Sequence, residues 1–238
     1  MTTLLTDMRA ESGARPGYYA NYPFSLHFRE RRLRNHLLPI LQAIYSATGR
    51  VRIIDIGGAA PYWNFLAAEL DALNCSIVLF NRVVEQICAE ETENPRFSVH
   101  IGDARCVDLP GMSFDLVHSN SVIEHVGSWV DMRAMAGEIR RLAPSYFVQT
   151  PNFWFPYEPH YYQPFFHWLP EQVRARWMCA VKFTDWPKAP SLLEACEWIQ
   201  KAKLLSFGQM QALFPDAAIK RERFYGLTKS LMAIRHKI

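Results

Sequence analysis

Short apolar segments alternate with segments of helical periodicity between about residue 50 and residue 150. The clearest apolar segment, Val51 to Ile56, is followed by a Gly57-Gly58 pair and by a helical pattern that begins at Pro61. The same pattern predicts strands at residues 75–80, 97–101, 114–119 and 146–150, and helices at residues 83–91 and 129–143. Strands and helices that alternate in this way predict βαβ units and a parallel sheet that is covered on both faces.

Helical periodicity also marks both ends of the chain. A pattern that starts near Ser25 is interrupted at Pro39, which predicts either a kinked helix or two successive helices. Towards the other end, the pattern predicts two helices and two strands: helices at residues 191–205 and 209–214, and strands at residues 218–224 and 227–235. The two strands are joined by only Tyr225-Gly226, and so short a link favours antiparallel pairing.

Residues 151–190 differ in composition from the rest of the chain, because prolines alternate there with aromatic residues. Two interpretations stay open: a cap over a small-molecule site, or a secondary core beneath a long connection. Tyr18, Tyr19 and Tyr22 are predicted to close over a bound cofactor as a lid. We therefore predict a single domain in four segments: lid and first helix (1–47), cofactor-binding core (48–150), cap insertion (151–205), and closing helix with strand pair (206–238).

Composition narrows the class of protein. The chain has 238 residues, of which 50% are hydrophobic, and a formal net charge of +3, which is too weak a bias to predict a nucleic-acid or anionic-membrane partner. The five cysteines show no Cys-x-x-Cys spacing, which favours a reduced, cytoplasmic setting. No apolar run approaches the roughly 18 residues that a membrane span needs, so we expect no stable membrane insertion. A homodimer is compatible with the sequence.

Polar residues that could bind a ligand lie at the ends of the predicted strands. Asp55 lies at the end of the first strand, Asn81 follows the second, Asp103 the third and Asn120 the fourth. The carboxyl ends of parallel strands meet at one edge of a sheet, where ligands bind, so we predict a small-molecule site there. The Gly57-Gly58 pair can adopt positive φ and admit a ligand close to the backbone, the next helix offers free amides, and Asp55 can accept hydrogen bonds from the ligand.

Four motifs occur in order along the chain: Asp55-Ile-Gly57, Gly102-Asp103-Ala104, Phe114-Asp115-Leu-Val and Ile123-Glu124-His125-Val126. With these motifs the chain resembles the class I S-adenosylmethionine-dependent methyltransferases, and in particular the type 11 group of small-molecule enzymes. The resemblance implies an α/β, Rossmann-like, doubly wound fold. Its sheet is expected to have seven mostly parallel strands with an antiparallel closing strand, and its cofactor is expected to be S-adenosylmethionine.

The resemblance also implies which residues contact that cofactor. Ala59 and Pro61 replace the later glycines of the first motif, so we expect the loop to follow a different local path. Asn81 stands where the family usually has a ribose-binding carboxylate. Asp103 resembles the residue that binds the adenine amino group, and a turn-capping role is its alternative. We predict contacts to the cofactor from Asp55, Gly57, Gly58, Ala59, Asn81, Arg82, Asp103, Ala104, Asn120 and Ser121.

A metal site is not expected. Glu124 and His125 match two members of a Glu-x-x-Glu-His pattern that binds magnesium in some quinone-pathway relatives. Ser121 stands in the place of the first Glu, and losing a hard carboxylate ligand disfavours a divalent cation. We therefore predict no metal ligands.

Methyl transfer from a sulfonium is a direct displacement, so the protein mainly aligns the acceptor and, for a hydroxyl, removes a proton. Histidine is the natural base, and the candidates are His160, which Glu158 would orient, and His125. His167 is a further candidate, and a structural role is the alternative for each. Neither an Asn/Asp-Pro-Pro-Tyr motif nor a Pro-Cys pair is present, which argues against nucleobases and leaves a small-molecule or lipid-linked hydroxyl, as in a sugar or phenol.

Two other interpretations stay open. One is a nicotinamide-dependent oxidoreductase, whose Gly-x-Gly-x-x-Gly fingerprint fails here because Ala59 and Tyr62 stand where glycines are needed. The other is a catalytically silent protein that uses the same fold to bind a cofactor or a partner. The altered glycines and Asn81 are the features that favour the silent interpretation.

Overall fold

The computed structural model describes residues 23–83, 94–183 and 186–237. In chain order its strands are β1 (Val51–Ile56), β2 (Cys75–Asn81), β3 (Phe97–Ile101), β4 (Leu116–Asn120), β5 (Ser145–Pro151), β6 (Tyr157–Glu158), β7 (Gln163–Pro164), β8 (Ala218–Phe224) and β9 (Leu227–Arg235). The α-helices are α1 (Pro23–Arg32), α2 (Leu38–Thr48), α3 (Ala60–Trp63), α4 (Ala67–Ala72), α5 (Trp129–Leu142), α6 (Glu171–Ala180), α7 (Leu192–Gln200) and α8 (Phe207–Leu213).

Seven strands form one sheet in the order β3-β2-β1-β4-β5-β9-β8, and β6 and β7 form a separate antiparallel pair. Strand β1 runs parallel to β2 and β4, β2 runs parallel to β3, and β8 and β9 are antiparallel as predicted. The predicted fold class, a mostly parallel seven-stranded sheet with an antiparallel closing strand, is therefore confirmed. None of the helices within the described ranges has the length and apolar composition that a membrane crossing requires.

The chain divides into two compact units, each assembled from separate stretches of sequence. The first consists of the described residues of Met1–Asn120, Gly137–Phe147 and Arg235–Ile238, and the second consists of those of Ser121–Ala136 and Val148–Ile234. The first unit is built around β1, where Val51, Ile53 and Ile54 are fully buried.

The second unit contains the aromatic segment that follows β5. The rings of Tyr161, Phe166 and Phe183 are buried and pack with centroids 5.1 to 6.2 Å apart, as a secondary core would. In contrast, the Trp154 ring is 65% exposed and the Phe165 ring is 52% exposed. The secondary-core interpretation thus holds for part of the segment, and the cap interpretation stays a prediction for the rest.

Two predicted helices have a different internal structure. Pro39 lies in the first turn of α2, and a π-helical turn (Leu33–Leu37) precedes that helix. The N–H of Leu38 donates to the carbonyl of Leu33 in this wider turn, which accommodates a proline that lacks an N–H of its own. The helix predicted to run on from Pro61 is instead divided into α3, a 3₁₀ turn (Asn64–Leu66) and α4. The helix predicted at 83–91 and the tyrosine lid lie outside the described residues, except for Val83, which is not helical.

Candidate functional site

The turn after β1 takes a left-handed backbone conformation at Gly57, with φ of 72°. Side chains rarely adopt this conformation, which is the physical reason for a glycine at this position. The Gly57 N–H donates to the carbonyl of Phe80 at 2.8 Å, so the turn is fixed to the adjacent strand β2. Gly57 itself is exposed, which leaves its backbone accessible to a ligand.

Asp55 is buried, with 1% exposure, and its carboxylate is used within the protein. One oxygen accepts a hydrogen bond from Trp63 Nε1 at 2.7 Å, and the other lies 2.6 Å from His118 Nδ1. We predicted that Asp55 accepts hydrogen bonds from a ligand. In the structure the carboxylate holds the side chains of Trp63 and His118, and its contact to a cofactor stays a prediction.

Gly58 is required by its contact with that carboxylate. A Cβ atom at this position would lie 1.8 Å from Asp55 Oδ2 and 2.0 Å from Asp55 Cγ. Atoms cannot approach so closely, and both Asp55 oxygens already have partners. The Gly58 carbonyl accepts a hydrogen bond from Asn81 Nδ2 at 3.0 Å, which ties the loop to the end of β2.

Asn81 is 3% exposed and therefore lies mostly inside the protein. Its side-chain nitrogen is the donor to Gly58, so this residue holds the loop in the present structure. The ribose contact predicted for Asn81 stays a prediction. The following residue, Arg82, is exposed, whereas Ala59 is buried and Ala104 is half-buried.

Asp103 follows β3 and pairs with Arg105. Its carboxylate accepts a hydrogen bond from the Arg105 backbone N–H at 2.9 Å and from the guanidinium at 2.6 Å. The turn-capping role considered from the sequence is thus present, and the adenine contact stays a prediction. The hydrogen bonds from Arg105 lower the pKa of Asp103 to about 2.

This lowered pKa makes a small contribution to stability that depends on pH. The charged carboxylate stabilises the folded state above its ordinary pKa of 3.8, and the contribution disappears as the pH falls towards 2. The Asp103 side chain is 37% exposed, so solvent screening limits the effect to less than about 1 kcal/mol. We expect Asp103→Asn to be slightly less stable than the parent protein at pH 7, and the difference to shrink below pH 4 and vanish at about pH 2 in urea titrations. A difference that grows on acidification would contradict this assignment.

Two predicted residues lie at the end of β4, Asn120 as its last residue and Ser121 directly after it, and their side chains differ in hydrogen bonding. The Oδ1 atom of Asn120 is buried and has no hydrogen-bond partner among the described residues. An unpaired buried acceptor is unfavourable, so this oxygen is a candidate to meet a ligand donor. Ser121 has φ of 56°, and its hydroxyl donates to Gln149 Oε1 at 2.9 Å.

The candidate base His160 lies beside Glu158, as the sequence predicted. Their Nδ1 and Oε1 atoms are 2.7 Å apart, and Glu158 is 3% exposed. The other Glu158 oxygen accepts the backbone N–H groups of His160 and Tyr161. Because the carboxylate accepts at both oxygens, Nδ1 of His160 carries the hydrogen and Nε2 is left to act as the acceptor.

His125 faces His160. Their Nε2 atoms are 3.2 Å apart, and Nδ1 of His125 lies 3.0 Å from the carbonyl of Lys201. Desolvation lowers the pKa of His125, although part of its ring remains exposed. Desolvation also acts to lower the pKa of His160, but the hydrogen bond that His160 donates to Glu158 and the charges of Glu158 and Glu124 outweigh it and raise the pKa.

Glu124, His125 and His160 offer ligand atoms that all lie within 4.8 Å of one another. Glu124 is 1% exposed, and its Oε2 atom accepts a hydrogen bond from Thr150 at 3.0 Å. The sequence argument against a metal considered only the chain neighbours of Glu124 and did not include His160, and the absence of metal ligands stays a prediction. His167, the remaining candidate base, directs its Nε2 atom to the carbonyl of Phe153 at 2.7 Å, as a structural histidine does.

The sequence argument also missed His118 and Trp63, which together hold Asp55. The available signal was a histidine within the apolar segment that became β4, since an isolated polar residue in a buried strand needs a partner. His118 stands opposite Asp55 in the parallel register of β1 and β4. That pairing follows from the strand order, which the sequence pattern does not specify.

Comparison with known proteins gives similarity of shape alone. No family model and no curated protein matches the chain. A S-adenosylmethionine-dependent methyltransferase from Methanosarcina mazei is similar with 11% identity and a TM-score of 0.49, over 78% of this chain and 91% of that one. Another from Aquifex aeolicus has 11% identity and a TM-score of 0.45, over 86% and 91% of the two chains.

A protein from Rhodobacter sphaeroides that is provisionally assigned as a Zn-dependent alcohol dehydrogenase is similar to the same extent, with 12% identity and a TM-score of 0.49 over 78% and 83% of the chains. Similarity of this degree does not identify an activity. The strands themselves are more informative, since β8 and β9 form an antiparallel pair at one side of a sheet whose other described pairs are parallel. The order and direction of its strands give this chain a Rossmann-like α/β fold, with a mostly parallel seven-stranded sheet and an antiparallel closing strand.

Proposed function

We propose that this protein binds S-adenosylmethionine and transfers its methyl group to a hydroxyl of a small-molecule or lipid-linked acceptor, such as a sugar or a phenol. The observation that carries the proposal is the turn after β1. Gly57 has a left-handed backbone conformation and is exposed. Gly58 packs directly against the buried carboxylate of Asp55. A ligand can therefore approach the backbone closely at the carboxyl end of a central strand, where this fold class binds ligands.

Further polar groups in the same unit suit the rest of the cofactor. Asp103 presents a half-exposed carboxylate after β3, and the Asn120 side chain has an acceptor without a partner among the described residues. We propose that Asp103 binds the adenine amino group and that Asn120 accepts a hydrogen bond from the cofactor. We propose that Asn81 and Asp55 stabilise the turn after β1 through their buried hydrogen bonds, to Gly58 for Asn81 and to Trp63 and His118 for Asp55.

For the acceptor, we propose that the pair of histidines after β4 and in the β6–β7 hairpin activates the hydroxyl. The Glu158 carboxylate fixes the His160 ring so that Nε2 presents a lone pair, which is the arrangement a general base needs. In this proposal His160 Nε2 would take the proton of the hydroxyl as the hydroxyl oxygen bonds to the methyl carbon of S-adenosylmethionine. The bond between that methyl carbon and sulfur would break, and the neutral thioether S-adenosylhomocysteine would leave. No nucleic acid takes part in this proposal.

The two alternatives make different predictions about ligands. A nicotinamide-dependent enzyme would need a free carboxylate to bind the ribose. This chain has the amide of Asn81 at that position, and the amide donates a hydrogen bond to the Gly58 carbonyl. A silent protein on this fold fits the observation that both Asp55 and Asn81 are used internally. Both alternatives are decided by which cofactor the protein binds.

Calorimetry of the full-length protein with S-adenosylmethionine, S-adenosylhomocysteine and NAD is the direct test. We expect one binding site with micromolar affinity for the two sulfur cofactors and no detectable heat with NAD. Gly57→Val should abolish this binding, because a β-branched residue does not adopt the φ of 72° found at this position. Binding of NAD alone would favour the oxidoreductase, and binding of no cofactor would favour the silent protein.

A further inference from the structure

Glu124, His125 and His160 form a cluster that we call the histidine–carboxylate cluster. Its ligand atoms lie within 4.8 Å of one another, and it comes from two places in the second unit. Glu124 and His125 belong to the 3₁₀ turn Ile123–His125 after β4, and His160 follows β6 in the short hairpin. A cluster of two imidazoles and one carboxylate has the composition of a transition-metal site.

The hydrogen bonds of the two imidazoles leave their Nε2 atoms in an unusual arrangement. Nδ1 of His125 faces the carbonyl of Lys201, and Nδ1 of His160 faces the carboxylate of Glu158. A carbonyl and a carboxylate only accept, so both Nδ1 atoms carry the hydrogen and both neutral rings present lone pairs at Nε2. Two lone pairs facing each other at 3.2 Å repel unless a cation or a shared proton lies between them.

The third group of the cluster, the carboxylate of Glu124, also has an atom that could bind a metal ion. Glu124 is 1% exposed, its Oε2 atom is oriented by the Thr150 hydroxyl, and its Oε1 atom is buried without a hydrogen-bond partner among the described residues. An unpaired oxygen of a buried carboxylate is costly unless a cation or a donor satisfies it. The cluster therefore contains two facing lone pairs and an unsatisfied anion, and a positive ion would relieve both.

The dimensions favour a small, tetrahedral ion. Nitrogen ligands about 2.0 to 2.1 Å from a tetrahedral zinc ion are separated by about 3.3 Å, close to the 3.2 Å between the two Nε2 atoms. All three ligand atoms lie within 4.8 Å of one another, so the Glu124 carboxylate has only to approach the two imidazoles to complete three ligands. Each histidine already has the second hydrogen bond, to a carboxylate or a backbone carbonyl, that orients metal ligands in proteins.

We propose that the histidine–carboxylate cluster binds a divalent transition-metal ion of the zinc type, held by His125, His160 and Glu124. His125 is exposed at the surface of the cluster, so a fourth position remains for water or for an oxygen of a ligand. The donor set differs from a Glu-x-x-Glu-His magnesium pattern, because two of its three ligands are imidazoles and one of them comes from the hairpin. When the ion is bound, His160 Nε2 coordinates it and no longer accepts a proton.

The proposal concerns metal binding alone and stands whether or not the chain transfers methyl groups. The test uses tag-free full-length protein that has been dialysed against a chelator and kept reduced, titrated with Zn²⁺ and separately with Co²⁺. We expect one equivalent of Zn²⁺ to bind, and Co²⁺ to give the intense visible absorption of tetrahedral coordination. Mg²⁺ should not compete, because imidazole is a poor ligand for a hard cation.

Two conservative variants identify the ligands. Glu124→Gln keeps an oxygen for the Thr150 hydroxyl but replaces the free carboxylate oxygen, and His160→Asn removes one imidazole. Each should weaken Zn²⁺ binding by at least about 100-fold, whereas the surface variant His27→Ala should bind as the parent protein does. Thermal melting without metal establishes that each variant is folded.

Stoichiometric binding that the two variants leave unchanged, equally tight binding of Mg²⁺, or no binding to the parent protein would overturn the proposal. In the last case the two histidines share a proton, and the cofactor calorimetry above is unaffected. Because Zn²⁺ is titrated without any cofactor, failure of the metal proposal and failure of the methyltransferase proposal give separate results.

Discussion

Replacing Asp55 with alanine should lower the free energy of unfolding by about 3 to 5 kcal/mol, which is among the largest effects expected for a single change in this protein. The carboxylate is 1% exposed and satisfies two buried donors, Trp63 Nε1 and His118 Nδ1. Its removal leaves both nitrogens without an acceptor, and it opens a space beneath the loop after β1. The shift is measured as a change in the urea midpoint at unchanged slope.

Asp115→Ala is the matched control for that experiment. Asp115 also pairs with a neighbouring cation, at 2.8 Å, and accepts the Arg52 backbone N–H at 2.8 Å, with side chains 15% exposed for Asp115 and 41% exposed for Arg52. Solvent screens this ion pair in part, so the expected loss is about 1 to 2 kcal/mol. Asp55→Asn should cost roughly 2 kcal/mol, because one amide oxygen can serve only one of the two donors. Equal losses for Asp55→Ala and Asp115→Ala would show that the buried network adds nothing beyond a partly exposed pair.

Replacing Gly58 with alanine should abolish or severely weaken cofactor binding, by at least about 100-fold, and should destabilise the protein by about 1 to 3 kcal/mol. The new methyl group would lie 1.8 Å from an Asp55 oxygen, and that carboxylate is held by two partners. The backbone of the turn has to move instead, which displaces the Gly57 backbone that the cofactor is proposed to approach. Calorimetry with S-adenosylhomocysteine measures the loss.

Gly137→Ala controls for the chemistry of the substitution. Gly137 lies in α5, and nothing lies within 4 Å of the position of its new Cβ, so the variant should gain up to about 1 kcal/mol of stability and bind the cofactor normally. A double variant of Gly58→Ala with Asp55→Ala should lose less stability than the sum of the single variants, since the clash requires both side chains. Normal cofactor affinity in Gly58→Ala would place the cofactor elsewhere.

The strands were the most predictable part of the fold. The predicted bounds of β1, β3, β8 and β9 agree with the structure, and the other sheet strands differ by one or two residues at their ends. Apolar residues at successive or alternating positions, interrupted by glycine, proline or a polar turn, are local signals that do not require knowledge of the neighbouring strands. The helix after β1 was harder, because Leu66 and Leu70 remain buried whether the helix is continuous or interrupted at Asn64–Leu66.

Among the site residues, contacts between residues close in sequence could be predicted, whereas contacts between distant residues could not. Residues near in sequence were predicted correctly as a pair when one turn brings them together, as Glu158 and His160 show. The contact between Asp55 and His118 was not predicted, since it depends on which side chain lies opposite Asp55 on the adjacent strand. His118 is 63 residues away, and only the parallel register of β1 and β4 brings it to Asp55.

The sequence by itself determined the alternation of strands and helices, the glycine turn after β1 and the orientation of His160 by Glu158. Each depends on residues within a few positions of one another, where backbone geometry limits the possible contacts. Only the tertiary structure decided that Asp55 supports the loop from within and that His125 and Glu124 meet His160. The contacts of Asp55 with His118 and of His125 with His160 join segments 63 and 35 residues apart, so they follow from the path of the chain and the packing of the core, which local periodicity does not encode.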